Sequence, residues 1–329
     1  MADEFLHRPT RRVFTVTLAG AAAKSRDWEP CYMALERSGE LAKRSRALLD
    51  IYKQCRLCPR QCGVDRTKGE KGVCNSTARL KIASYHPHFG EERPLVGRGG
   101  SGTIFFSNCN LLCVFCQNWE INHRGDGSFT SPEEAARMMI RLQDSGCHNI
   151  NLVTPTHCLP GIIAALRAAI AMGLRLPLVY NCGGYEPVEI VRLLDGIVDI
   201  YLPDCKYMDS KAADRLSNKA SDYPEVAQAA ILEMKRQVGD VVLDERGIAR
   251  RGLLIRHLVL PNNMAGTDKF VRFVAEKLGR DTWVNMMAQY RPQHKARDYP
   301  EIARPLTRKE YEQALAWARE AGLTHVLTQ

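Results

Sequence analysis

The stretch Asn108-Cys109-Asn110-Leu111-Leu112-Cys113-Val114-Phe115-Cys116-Gln117-Asn118 sets three cysteines at a C-x3-C-x2-C spacing. It follows an apolar run, residues 102–106, that reads as a buried strand. Thiolates this close on one loop can bind a single metal centre, and soft sulfur ligands favour zinc or an iron–sulfur cluster. A closed structural site takes four ligands, whereas a site that does chemistry keeps a position open. Two plainer readings compete: a zinc loop completed by His123, or three cysteines that are merely buried. Three in eight residues make coincidence a weak explanation.

Downstream the pattern is regular. Apolar strands at residues 104–106, 149–154, 178–181, 198–202, 253–260 and 283–288 alternate with helical segments. The helices read as 131–146, 159–172, 187–194, one long stretch over 210–238, 267–278 and 307–321, with a hairpin before the fifth strand. Alternation of this kind implies a parallel sheet of βα units. Six strands, each with a helix, predict an α/β fold, a partial (β/α)6 barrel. Upstream, residues 32–53 read as amphipathic helix, 80–85 as a strand and 87–100 as loop. Three segments follow: 1–54, a leader and helical segment; 55–100, a cysteine-rich metal-binding loop region; and 101–329, the barrel.

The string Cys109 to Cys116, with aromatic Phe115 directly before the last cysteine, resembles the signature of the radical S-adenosylmethionine (SAM) superfamily. Longer matches, from about Cys55 to Tyr290, resemble a subgroup related to pyruvate formate-lyase activating enzymes. The resemblance implies that Cys109, Cys113 and Cys116 hold three irons of a [4Fe–4S] cluster and that SAM chelates the fourth. It implies reductive cleavage of SAM to methionine and a 5′-deoxyadenosyl radical, which abstracts hydrogen from a substrate. It also implies a low-potential electron donor of the flavodoxin or ferredoxin class. Two alternatives stay open: an activase acting on a backbone glycine of a protein substrate, and a non-catalytic iron–sulfur protein that transfers electrons or senses redox state.

Strands covered on both faces should be continuously apolar, yet several here end in polar groups at the carboxyl end, where barrel sites are built. The third ends at Asn181, the fourth at Asp204 and Lys206, the fifth carries Arg256, and the sixth runs into Gln289. Alternation puts Asp204 and Lys206 on one face. A buried charge is costly unless paired, so these residues must neutralise one another or a ligand. Asp204-x-Lys206 and Arg256 resemble motifs that in the activating enzymes serve SAM and substrate at the barrel mouth, and these three are the expected catalytic residues. Phe115, Thr156, Asn181 and Gln289 join them as expected cofactor contacts. One departure is clear. The family's Gly-Gly-Glu after the second strand is replaced by Val153-Thr154-Pro155-Thr156-His157, with Thr156 or a backbone carbonyl as the expected substitute. His257 reads as a packed strand histidine; His157 is open between packing and chemistry.

Cys55, Cys58, Cys62 and Cys74 form a second set, C-x2-C-x3-C-x11-C, on a loop with Pro59, Gly63, Gly69 and Gly72 to make tight turns. Four thiolates close a tetrahedral site, which predicts zinc or a second [4Fe–4S] cluster. The remaining five cysteines read as buried thiols. The net charge of +9 over 329 residues is moderate and spread out, and without a nucleic-acid motif no such partner is expected. No apolar run approaches the ~20 residues of a spanning helix, so no membrane role is expected. Clustered cysteines suit a reducing, cytoplasmic setting. The alternative is a twin-arginine-type export signal at Arg11-Arg12, ahead of a modest apolar segment.

Overall fold

The computed structural model describes residues 28–328; the Arg11-Arg12 segment lies outside the described residues. In chain order the elements are α1 (Tyr32–Arg37), α2 (Glu40–Ile51), β1 (Leu80–His88), α3 (Arg93–Val96), β2 (Ser101–Phe106), β3 (Ser128–Thr130) and α4 (Pro132–Asp144). There follow β4 (Ile150–Val153), α5 (Leu159–Ala171), β5 (Leu178–Cys182), α6 (Val188–Leu193), β6 (Ile200–Pro203), α7 (Ser210–Leu216) and α8 (Tyr223–Val238). The chain continues through β7 (Val242–Leu243), β8 (Ala249–Leu258), α9 (Thr267–Phe273), β9 (Trp283–Met287), α10 (Arg308–Glu320) and β10 (Val326–Thr328).

The six expected strands are β2, β4, β5, β6, β8 and β9. They lie side by side in that order, all parallel, and each is followed by a helix. A parallel sheet wound in one direction curls instead of taking helices on both faces, which gives the partial barrel. Its two ends do not pair among the described residues, so the barrel is open. β10 adds a seventh parallel strand beside β9, while β1 and β3 extend the other edge antiparallel. Both three-residue strands are too short to show a period in sequence.

Alternation within the strands sorts the core. Ile150, Leu152, Tyr180, Tyr201, Leu253, Ile255, Val284 and Met286 pack outward against the helices. Val179, Ile200, Leu202 and Leu254 face inward, where Leu95 of α3 joins them. The connection read as loop over 87–100 therefore carries a plug: Glu92 and Leu95 enter the barrel, and Asn149 Nδ2 donates to the Leu95 carbonyl at 2.8 Å.

The single helix expected over 210–238 is two. α7 stops at Leu216, Asn218 and Lys219 take left-handed φ of 49° and 57°, and α8 restarts with Pro224 in its first turn. Proline suits a first turn and breaks a continuing helix, so the stop lies before it. The break matters below because it frees Ser217. Of the five leftover cysteines, Cys147, Cys158, Cys182 and Cys205 are buried, and Cys31 is half-buried. No helix among the described residues is long and apolar enough to cross a membrane.

Gly184, just past β5, has φ +77°, and a Cβ there would overlap the Asp204 carbonyl oxygen. Gly184→Ala is expected to cost at least about 1–3 kcal/mol, from left-handed strain plus the clash. Chemical denaturation of the variant beside the parent checks this; unchanged stability would mean that the two strand ends do not abut.

Candidate active site

The cysteine loop leaves β2 at the carboxyl end of the sheet. Left-handed φ at Asn108 (74°) and Leu112 (55°) folds it back on itself. Distant elements hold it: Val114 N donates to Leu216 O at 2.9 Å, Lys295 N donates to Val114 O at 2.9 Å, and Asn110 Nδ2 donates to Tyr185 O at 3.0 Å. Each sulfur receives a donor. Leu111 N–H lies 3.4 Å from Cys109 Sγ, Ser217 Oγ 3.1 Å from Cys113 Sγ, and Asn122 Nδ2 3.3 Å from Cys116 Sγ. Donors aimed at sulfur stabilise thiolate, the form that ligates iron. Burial pushes all three thiols up, Cys109 to about 12, so the loop by itself holds neutral thiols. A bound metal cation reverses that balance.

Among the described residues no group of three or more His, Cys, Asp or Glu is closed around a point that would hold one metal ion. A cluster bridges several irons, so its thiolates stand further apart than those around a single ion. The donor set fits such a group: three thiols sharing one loop, mutually sensed, each with its own hydrogen bond. His123 is no fourth ligand here. Its Nε2 lies 3.1 Å from the Cys113 carbonyl oxygen, and its ring packs on His294 at 4.3 Å. Phe115 is buried edge-on to Tyr207 and Tyr290 beneath the loop.

The polar strand ends converge on Asp204. Lys206 Nζ reaches its Oδ2 at 2.6 Å, and Arg256 Nε reaches its Oδ1 at 2.8 Å. Arg256 also donates to Asn181 Oδ1 at 2.7 Å and lies 3.6 Å from Glu91 Oε2. Burial opposes the charged Asp204, but Arg256 and Lys206 outweigh it and hold the carboxyl below its usual range. Burial wins at Glu91, which is pushed up to about 7 although Arg256 opposes the rise. Next to it, Glu92 Oε1 accepts from Asn285 Nδ2 at 2.8 Å, which ties the plug to β9. Thus Asp204, Lys206, Arg256 and Asn181 form one group. Gln289 stands apart from it, with its amide 3.3 Å from Met287 Sδ and its carbonyl oxygen accepting from Gln117 Nε2 at 3.2 Å.

Thr156 is turned to a residue the sequence reading passed over. Its Oγ1 donates to Glu186 Oε1 at 2.5 Å, and Tyr180 OH donates to the other oxygen at 3.2 Å. His257 is the packed histidine expected: its nitrogens lie 2.7 Å from Cys205 O and 2.8 Å from Thr267 Oγ1, and its ring stacks on Phe270. His157 is also interior. Its Nε2 lies 2.7 Å from Ser107 O, at the root of the cysteine loop, and burial lowers it to about 4. It is a neutral positioning residue. Glu186 and Asn285 carried the signal of a polar group at a strand end; Glu91 and Glu92 carried none, being two acids in an aperiodic connection.

Glu186 is wholly buried, which pushes its carboxyl up to about 8. An acid raised in the folded state binds its proton more tightly there than in the unfolded chain. Its charge is disfavoured only in the fold, so stability falls as pH climbs from the unfolded value, roughly 4.3, through about 8. Glu186→Gln removes this titration. Denaturation at pH 5 and pH 9 is expected to show the parent losing more stability across the interval than the variant, by more than about 1 kcal/mol. Parallel profiles would mean that Glu186 is ionised in the fold.

Comparison with known proteins bears on this site directly. The profile of the Radical SAM superfamily matches residues 103–244, a span that begins in β2 and includes all three loop cysteines. An uncharacterized protein of Methanocaldococcus jannaschii is 36% identical over 83% of this chain and 77% of its own length. A second from the same organism is 24% identical over 83% of this chain and 80% of its own. Among solved structures, HydG, a maturase of the [FeFe]-hydrogenase, aligns at 14% identity and a TM-score of 0.47, over 67% of this chain and 48% of that one. SuiB of Streptococcus suis, bound to S-adenosylmethionine, aligns at 15% identity and a TM-score of 0.44, over 68% and 48%. The chain therefore spans about half of either solved neighbour. The matched profile and the level of identity to the first relative show that this chain belongs to the radical SAM superfamily.

Proposed function

We propose that the chain is a radical SAM enzyme whose Cys109, Cys113 and Cys116 hold a [4Fe–4S] cluster with one iron left for SAM. The observation that carries this is the loop itself, three thiols at the barrel mouth with a separate hydrogen-bond donor on each sulfur. When bound, the cluster supplies one electron at low potential for cleavage of SAM into methionine and a 5′-deoxyadenosyl radical. The protein's task is orientation and exclusion of water. Phe115, Tyr207 and Tyr290 wall the cluster side with apolar rings. Asp204, Lys206 and Arg256, paired among themselves and each largely covered with a small part left exposed, offer both signs of charge to a ligand that carries an amino group and a carboxylate. Asn181 accepts from Arg256 and steadies it; Gln289 belongs to the rim, while Thr156 is buried against Glu186.

One partner and a second centre go with this reading. A low-potential donor of the flavodoxin or ferredoxin class delivers the electron. A groove lined by Lys71, Arg79, Lys81, Asn108 and Arg124 supports an acidic donor of that kind by charge. The upstream set, Cys55, Cys58, Cys62 and Cys74, holds a second centre, zinc or [4Fe–4S]; among the described residues its sulfurs are not closed around a single-ion point, which favours the cluster. The activase reading, with a protein glycine as substrate, is retained as one form of the reaction; the ion group at the mouth favours catalysis over simple electron transfer.

Anaerobic reconstitution followed by SAM and dithionite is expected to yield 5′-deoxyadenosine, and alanine at Cys109, Cys113 or Cys116 to abolish it. Near-normal product from any of the three variants would sink the central claim. Arg256→Met is expected to assemble the cluster with its usual visible absorption while weakening SAM binding by at least about tenfold. Unchanged SAM affinity would return Arg256 to a purely structural role.

A further inference from the structure

Arg66 lies in the upstream cysteine segment and is 1% exposed. Buried guanidinium groups are ordinarily answered by carboxylates, as Arg256 is by Asp204. Arg66 is not. It donates to the carbonyl oxygens of His157 and Thr77, each at 2.6 Å, lies over the Tyr52 ring at 4.3 Å, and points Nη1 at Cys55 Sγ from 3.9 Å. Its Nε is buried with no partner. Among the described residues no Asp or Glu pairs with it. Carbonyl dipoles and a ring face solvate a cation but do not neutralise it, and an unanswered buried charge costs several kcal/mol.

The anion is missing where four cysteines gather. Cys55 N donates to Val64 O at 2.9 Å and Gly63 N donates to Cys55 O at 3.0 Å, which folds the segment into a tight hairpin. Val73 N–H lies 3.3 Å from Cys62 Sγ, and a Cβ on Gly72 would sit 2.6 Å from the same sulfur. Cys55, Cys58 and Cys74 are buried and Cys62 is half-buried. Neutral thiols would leave Arg66 uncompensated. Four thiolates around a divalent zinc, or around a [4Fe–4S] core carrying two positive charges, leave about two negative charges net.

Resting on the second centre proposed above, we infer that it is an anionic tetrathiolate and that Arg66 is its buried counterion. A centre with three thiolates and a neutral fourth ligand would carry less charge and leave one cysteine idle. The same guanidinium holds the His157 carbonyl, and the His157 ring holds the Ser107 carbonyl two residues before Cys109. Arg66 is thus also a positioning residue between the two cysteine sets.

The test uses the full chain with Cys109, Cys113 and Cys116 all changed to alanine, so that only the upstream set can load. Zinc alone, and separately iron with sulfide, are titrated against a chelator into chains carrying Arg66, Arg66→Lys or Arg66→Gln. Loss of the charge in Arg66→Gln is expected to weaken loading by about 10–100-fold, and Arg66→Lys by clearly less. Equal losses in the two would overturn the counterion role. Melting of chelator-stripped and loaded protein gives the second reading, with Arg66→Met as an uncharged filler of the same space. Its melting temperature is expected to fall when loaded, and to stay or rise when stripped; the same fall in both states would make Arg66 a packing residue only. A folded chain that takes up neither metal removes the second centre itself, which no Arg66 result can mimic.

Discussion

The barrel mouth depends on one pairing, Asp204 with Arg256. β6 and β8 share only two backbone pairs, Ile200 with Gly252 and Tyr201 with Leu253. Beyond these the regular ladder ends, at the inward Leu202 and Leu254. The strands are rejoined by a single bridge at Asp204 and Arg256, by Cys205 N donating to Arg256 O at 2.8 Å, and by the ion pair itself. A buried ion pair seldom adds net stability over apolar packing, so its presence here reflects what the mouth must do. It keeps two strands aligned while holding charge at the rim. Asn181 and Glu91 complete the shell around Arg256, one from β5 and one from the plug.

How much of this was legible follows from what each residue's neighbours are. The six parallel strands announce themselves because continuous apolar runs leave few alternatives to a doubly covered sheet. Asp204, Lys206 and Arg256 stood out for the converse reason, as charges in places that should have none. Glu91 and Glu92 were invisible: their role comes from a connection that turns into the barrel, and nothing local distinguishes that from a solvated loop. Ser217 was hidden by a helical pattern that ran across it, although Pro224 marked the restart. Thr156 was expected to stand in for the family's glutamate, whereas its hydroxyl is engaged by Glu186.

The two cysteine sets are built on different principles. The Cys109 loop takes its shape from tertiary contacts, with α7, the segment after β9 and the end of β5 each contributing a hydrogen bond. Its sulfurs are satisfied by Leu111 within the loop, by Asn122 just beyond it and, at Cys113, by a serine freed by the helix break. The upstream set takes its shape from local turns, closed by hairpin bonds within about ten residues. A loop shaped from outside can be exposed on one side to a ligand and still keep its geometry. A loop shaped from within needs its metal as the missing contact.

These two constructions meet through arginines. Arg60, between Cys58 and Cys62, donates to Asn110 O at 3.1 Å and to Ser217 O at 3.0 Å, and lies over Tyr185. Asn110 sits inside the Cys109 loop, and Ser217 is the residue whose hydroxyl serves Cys113. Arg66 reaches the root of the same loop through His157 and Ser107. Arginine suits both tasks because its rigid fork can bond two carbonyls at once without losing its charge. A lysine in either place would hold one carbonyl and release the other. The upstream segment therefore holds the first cysteine loop near its start and at the residue that serves Cys113, so a shift of one set is felt at the other through these two side chains.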